Sequence, residues 1–306
     1  MSNKRKRLNL LNEYRRVIES LPFKTLEGED LVAKNIYICP LCLTSFNIEE
    51  TLDELTMEDV PPKSLGGKPI IITCKKCNNT CGHKLDVFLF NEFRYYQERY
   101  SFGVEGKTAQ LSINGVQVNA RIKEKEDKTL CIDIGRNNNP DKLKSFIENV
   151  EMAGEHWKID GKINLIDFKR NEEAAKLAIL KSAYLLAFHK LGYRYILNYN
   201  LNIVRDMIMY PEQNYETMFI LGNTNTLNDI IKDDVYLAKI DNIGAILVVL
   251  SLRMNTLNRI YRFAVALPSS EDKEEVLYKK VLLLNECREK TVHIEIKGPA
   301  KITIKR

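Results

Sequence analysis

The feature that most constrains this chain is a pair of Cys-x-x-Cys motifs, Cys39/Cys42 and Cys74/Cys77, set into its first third. Two thiolates two residues apart can grip one ion from a single tight turn, and two such turns complete a tetrahedron, so these four sulfurs predict a structural zinc site. Disulfides are the competing use of cysteine. The chain begins with the basic run Lys4-Arg5-Lys6-Arg7 rather than a hydrophobic leader, and matched pairs without such a leader read as metal ligands. The remaining thiols, Cys81, Cys131 and Cys287, read as buried or incidental. The spacing from Cys42 to Cys74 exceeds that of the simplest zinc ribbons, which requires a folded element between the knuckles.

That element holds Glu58-Asp59-Val60-Pro61-Pro62-Lys63-Ser64-Leu65-Gly66-Gly67, and the second knuckle is followed by Asn78-Asn79, Gly82, His83, Lys84 and Asp86. Clamping the sulfurs therefore brings acidic groups near an asparagine. Carboxylate and amide oxygens suit Mg²⁺ or Mn²⁺, and Lys63, Lys68, Lys75, Lys76 and Lys84 would draw a phosphate chain toward them. Each residue also has a plainer use. Glu58 and Asp59 could be an acidic pair before a proline turn, Asn78 a helix cap, His83 a surface imidazole or a zinc ligand alongside Cys81, and the lysines solvated side chains. Gly82 inside the helix expected after Asn79 costs about 1 kcal/mol relative to alanine, which suggests close packing there.

The order Leu55 to Gly67, then Thr73-Cys74-Lys75-Lys76-Cys77-Asn78-Asn79, then Gly82 and Asp86, resembles the His-Asn-His (HNH) nuclease family, in the branch bearing two zinc knuckles. The resemblance implies a ββα-metal finger. It implies that Glu58 ligates a catalytic divalent ion, that Asp59 stands where the family has its general-base histidine and could hold the ion beside Glu58, and that Asn78 completes the Mg²⁺ or Mn²⁺ set. Phosphodiester hydrolysis needs an activated water and a cation on the scissile phosphate, and an Asp in place of His lowers the base pKa from about 6.5 to about 3.9. His83, one helical turn beyond Asn79, could serve as a substitute base.

The rest of the chain reads as scaffold. Leu11, Tyr14, Val17, Ile18 and Leu21 mark one face of a first helix, closed by Pro22. Leu85, Phe88, Leu89 and Phe93 mark another, followed by the basic and aromatic run Arg94 to Tyr100, which reads as helix packing with base stacking as its alternative use. Period-two alternation then flanks Asn114-Gly115, a strong hairpin signal. A second hairpin is expected at Asp160-Gly161, a strand at Thr129 to Ile134 and a helix at Pro140 to Val150.

Asn171 to Leu191 reads as an apolar helix capped by Asn171 and ended by Gly192, with His189 placed for local electrostatics at its negative end. A helix at Leu201 to Met209, strands at Ala245 to Leu252 and Arg259 to Leu267, and a final alternating run at 292–304 complete the pattern.

The expected architecture is α+β, with an N-terminal zinc-stabilised ββα finger in residues 1–100 and a C-terminal mixed domain with antiparallel hairpins in 101–306, divided near Ser101. With a net charge of +5, a polyanionic partner is permitted rather than demanded. The expected function is a metal-dependent endonuclease acting on DNA rather than RNA, in a restriction or antiphage setting. The alternative is a finger that has lost catalysis and grips nucleic acid or a protein. A cytoplasmic location, no membrane, and a homo-oligomer or regulatory partner are the accompanying expectations.

Overall fold

The computed structural model describes residues 3–19, 23–24, 30–31, 35–100, 106–125, 127, 129–135, 137–153, 160–163, 168–213, 220–223, 232–240, 243–254, 259–269 and 294–299. In chain order, helix α1 (Asn3–Glu19) precedes two-residue strands β1 (Phe23–Lys24) and β2 (Asp30–Leu31), then β3 (Ile36–Ile38) and β4 (Ser45–Asn47). Strands β5 (Leu55–Val60) and β6 (Lys68–Cys74) lead into α2 (Lys75–Cys81), a π-helical turn at Gly82–Asp86, and α3 (Val87–Tyr100). Next come β7 (Lys107–Ile113), β8 (Val116–Glu124), β9 (Leu130–Ile134), α4 (Pro140–Ala153) and β10 (Asp160–Ile163). Helices α5 (Glu172–Leu191), α6 (Tyr193–Ile196) and α7 (Asn202–Met209) follow, then β11 (Ile220–Asn223), β12 (Asp234–Ile240), β13 (Ile243–Met254), β14 (Arg259–Pro268) and β15 (Ile294–Pro299).

The chain divides into two compact units: residues 1–90 with 171–254 and 259–306, and residues 91–170 with 255–258. The boundary expected near Ser101 lies outside the described residues, as do Cys287 and both ends of the last alternating run.

In the second unit, an antiparallel sheet of order β10-β7-β8-β9 buries one face. Alternation sends Ala109, Leu111 and Ile113 of β7 and Val118, Ala120 and Ile122 of β8 to that face, against Phe146 of α4. Burying a side chain such as Phe146 contributes about 1.5–3 kcal/mol. Asn114 and Gly115 take φ of 49° and 81° at the β7–β8 turn, the left-handed pair that a tight hairpin of this kind requires. Helix α4 starts where the Asn139 side chain accepts from the amides of Asp141 and Lys142 at 2.9 and 3.2 Å. The hairpin turn expected at Asp160-Gly161 is corrected: both residues lie within β10, paired with Ser112 and Leu111 of β7. The aromatic run of α3 is used for packing, since Arg170 sits 3.8 Å over the Tyr95 ring and holds Glu92 at 2.7 Å, while Arg94 lies 4.6 Å over Phe168.

In the first unit, a sheet of order β11-β14-β13-β12-β15 carries the long β13–β14 hairpin. Helix α5 is buried over most of its circumference, from Ala174 to Leu191. It begins where Asn171 accepts from the Ala174 amide at 3.0 Å and ends at Gly192, whose φ is 67°. Helix α1 buries Leu11, Tyr14 and Ile18, the spacing of one helical face. Among the described residues no helix is long and apolar enough to cross a membrane.

Candidate metal centre and acidic pocket

The first knuckle is a turn. Cys39 ends the extended approach of β3, the Leu43 amide donates to the Cys39 carbonyl, and the Cys39 amide to Thr44, both at 2.9 Å. Leu43 takes φ of 55° to close it. The second knuckle is a helix start, where Cys74 caps α2 and its sulfur accepts from the Cys77 amide at 3.4 Å. A helix N-terminus favours a thiolate. The Cys74 amide donates to the Cys39 sulfur at 3.4 Å, joining the two turns.

The sulfurs of Cys39, Cys42, Cys74 and Cys77 all lie within 4.8 Å of one another, the one such group of three or more His, Cys, Asp or Glu among the described residues. Four thiols this close can hold a structural metal ion such as zinc, which takes tetrahedral sulfur ligands. Hydrogen bonding to the Cys39 sulfur is the leading reason that the Cys74 thiol falls to about 7. The same neighbour pulls Cys42 down and pushes Cys77 up, as sulfurs sharing protons must.

The knuckles are anchored from behind. The Tyr184 hydroxyl donates to the Pro40 carbonyl at 2.7 Å and that of Tyr193 to the Ile38 carbonyl at 2.6 Å, while the Tyr37 hydroxyl donates to Ile72 in β6. Arg205 braces this layer, donating to the Tyr184 oxygen at 3.2 Å and to the Ile196 carbonyl at 2.6 Å. Tyr14 stacks on Phe188 with ring centres 4.8 Å apart. Its hydroxyl lies 3.2 Å from His189 Nδ1, so the histidine at the end of α5 is part of this packing.

Between the knuckles, β5 and β6 pair antiparallel with a register shift between Glu58 and Asp59. Their connection needs both glycines. Gly66 has φ of +88°, and a Cβ on Gly67 would fall 1.4 Å from the Pro61 carbonyl oxygen. Hairpin and α2 together make a ββα unit, with the sulfurs gathered at its end and at the first knuckle.

Glu58 does not face open solvent. It is 4% exposed; its Oε1 receives the Lys181 ammonium at 2.8 Å and its Oε2 the Thr73 hydroxyl at 3.3 Å. Lys181, 0% exposed on α5, also reaches Asp86 Oδ2 at 2.6 Å. Asp86 Oδ1 is buried with no hydrogen-bond partner among the described residues. Burial pulls the Lys181 ammonium toward neutrality, but Glu58 and Asp86 outweigh it and hold it protonated beyond its ordinary range. With one cation against two carboxylates, burial pushes the Glu58 carboxyl up, and Asp86 adds to that push against the opposing pull of Lys181.

Asp59, the next residue along the strand, is partly exposed, and burial raises its carboxyl against the pull of Lys63. Asn78 spends its side-chain amide on the Met57 carbonyl at 3.4 Å. His83 is exposed on the π-helical turn. Cys81 is buried, and burial pushes its thiol up to about 12. The close packing expected at Gly82 is corrected: a Cβ there would meet nothing within 4 Å.

The structure thus gathers the four cysteines, and it gathers Glu58 with Asp86, Thr73 and Lys181. Both Glu58 oxygens accept hydrogen bonds, from Lys181 and Thr73, and the Asn78 side-chain nitrogen donates to the Met57 carbonyl. Lys63, Lys68, Lys75, Lys76 and Lys84 are all exposed, Lys84 with Glu212 at 3.2 Å. Sequence reasoning missed Lys181. The available signal was a lone lysine inside the apolar run Ala178-Ile179-Leu180-Lys181-Ser182-Ala183, since a buried lysine demands a buried acid. No protein-family model matches the chain, and no curated protein and no solved structure matches it.

Proposed function

We propose that residues 39–86 form an HNH-like module, clamped by zinc, that grips nucleic acid without hydrolysing it. The observation that carries this reading is the ammonium of Lys181 set 2.8 Å from Glu58 and 2.6 Å from Asp86, a positive charge supplied by the chain beside the carboxylate that would otherwise hold a cation. The ββα order and the exposed lysines around it support a phosphate-facing surface.

A second reading, an HNH-type endonuclease with Asp59 in the place of the base, draws support from one observation: burial raises the Asp59 carboxyl, which brings it closer to a useful proton acceptor. That reading requires Lys181 to release Glu58.

Binding of duplex DNA, single-stranded DNA and RNA, measured by anisotropy over a salt series, tests the first reading. Wild type should bind with steep salt dependence. Lys75→Glu with Lys76→Glu should weaken binding by about tenfold or more and flatten the salt slope by about one unit for each phosphate no longer neutralised. Plasmid and single-stranded substrates incubated with Mg²⁺, Mn²⁺ or Ni²⁺ should remain intact with wild type. Cutting that disappears in Glu58→Ala establishes the endonuclease instead, and absence of any nucleic-acid binding overturns both.

A further inference from the structure

The connection between β5 and β6 carries an arginine that comes from far along the chain. Gly66 takes φ of +88°, and a Cβ placed on it would fall 3.0, 3.5 and 3.6 Å from Cβ, Cγ and Cδ of Arg253 in β13. Three stem carbons therefore lie along the face of one glycine. The residue as a whole remains exposed, the usual division of a long cationic side chain into a packed stem and a wet head. No ion pair or hydrogen bond among the described residues uses its guanidinium. Lys63 springs from the same turn: its carbonyl accepts from the Gly66 amide at 3.1 Å, and the Pro62 carbonyl takes the Leu65 and Gly67 amides at 2.8 and 3.3 Å. Lys63 is exposed, as is Lys68 at the head of β6. Three cationic side chains thus surround a connection to which Asp59, within the pull of Lys63, brings one negative charge.

We infer that Arg253 and Lys63 seat one phosphate of a nucleic-acid backbone over the β5–β6 connection, the guanidinium as a two-pronged donor and the ammonium as a point charge. The inference rests on the reading of residues 39–86 as a nucleic-acid grip, and it extends that grip to β13, a strand outside the motif. It also gives Gly66 a second use, since a side chain there would push the arginine stem off the turn. A contact to phosphate carries no base information, so this one fixes where the nucleic acid lies without selecting its sequence.

The test uses the full chain carrying its zinc and a fluorescein-labelled DNA duplex, with anisotropy read over a salt series. Arg253→Gln keeps Cβ, Cγ and Cδ on Gly66 and removes only the fork. It should weaken binding about eightfold at about 0.1 M salt and lower the salt slope by about one unit, the effect of one phosphate no longer neutralised. Zinc content and the urea midpoint should not change. Arg253→Lys should keep the slope and recover part of the affinity. Should the variants not fold, phenylglyoxal, which reacts with guanidinium groups, gives the reading on wild type: mass spectrometry should find Arg253 modified in the free protein and protected by saturating duplex. If wild type binds, Lys75→Glu with Lys76→Glu weakens it, and Arg253→Gln binds like wild type, the inference is overturned while the grip stands. Modification of Arg253 that the duplex does not slow has the same meaning. A wild type that binds no nucleic acid removes the grip itself, and the inference with it.

Discussion

The chain holds two clusters that call for a cation, and they obtain it in opposite ways. The sulfur clamp draws all four thiols from residues 39–77, and the ion such a set can hold comes from outside. The acidic pocket draws its carboxylates from β5 and the turn after α2 and receives its cation from α5, distant in sequence. The difference lies in how each depends on the rest of the molecule: the clamp can assemble locally around an ion, whereas the pocket exists only when α5 has docked.

The sharpest way to break the comparison is to disable the clamp. Removing zinc, or substituting Cys74→Ser, should remove most of a binding free energy that is about 10–16 kcal/mol for structural zinc sites in small peptides, with metal content falling to zero and the near-ultraviolet signal of the buried tyrosines collapsing. If Cys74→Ser retains both metal and signal, the clamp is not what holds the knuckles.

The next effect concerns the pocket. Lys181→Met strands the buried Glu58 carboxylate and the partly buried one of Asp86 and should cost about 3–5 kcal/mol in urea unfolding, most of it recovered when Glu58→Gln and Asp86→Asn are added, because a neutral trio carries no unpaired charge. A cost below about 1 kcal/mol would mean that the pocket behaves like a surface pair.

The smallest effect is in the pH profile. A carboxyl raised in the folded state binds its proton more tightly there than in the unfolded chain, so the stability it contributes is present below the ordinary value of 4.5 and is lost as pH rises through the raised folded value. The urea midpoint should therefore decline with rising pH just above 4.5, and Glu58→Gln should flatten that decline. Asp59→Asn should flatten it less, since Asp59 is the more exposed of the two. A midpoint that rises over this window in wild type and not in Glu58→Gln would reverse the assignment.

What could be read in advance follows the same division. The cysteine pairs, the Asn114-Gly115 turn and the Asn171 cap were legible because each is decided within a few residues: two thiols in one turn, two left-handed residues, one side chain on one amide. Asp160-Gly161 has the same turn chemistry as Asn114-Gly115, yet it forms strand, because β7 offers Ser112 and Leu111 as partners and pairing outweighs local preference. Glu58 and Asp86 were visible as acidic groups near the knuckles, but their counter-ion was not. Nothing near Glu58 in sequence announces that Lys181 is its partner; the lone lysine in the apolar run of α5 signals a buried acid without saying which one. HNH-like chemistry at Asp59 and Asn78 rests on the resemblance of the motif alone.

Helix α5 also sets the register of the whole N-terminal region. Lys181, Tyr184 and Phe188 follow one another at intervals of three and four residues, so they form a single stripe along the helix. They meet in turn Glu58 with Asp86, the carbonyl of Pro40, and the ring of Tyr14. A slide of α5 by one turn, about 5.4 Å, would misalign all three together. The helix works as a key cut for three levers, and the finger is held in one position by a match that no partial engagement can satisfy.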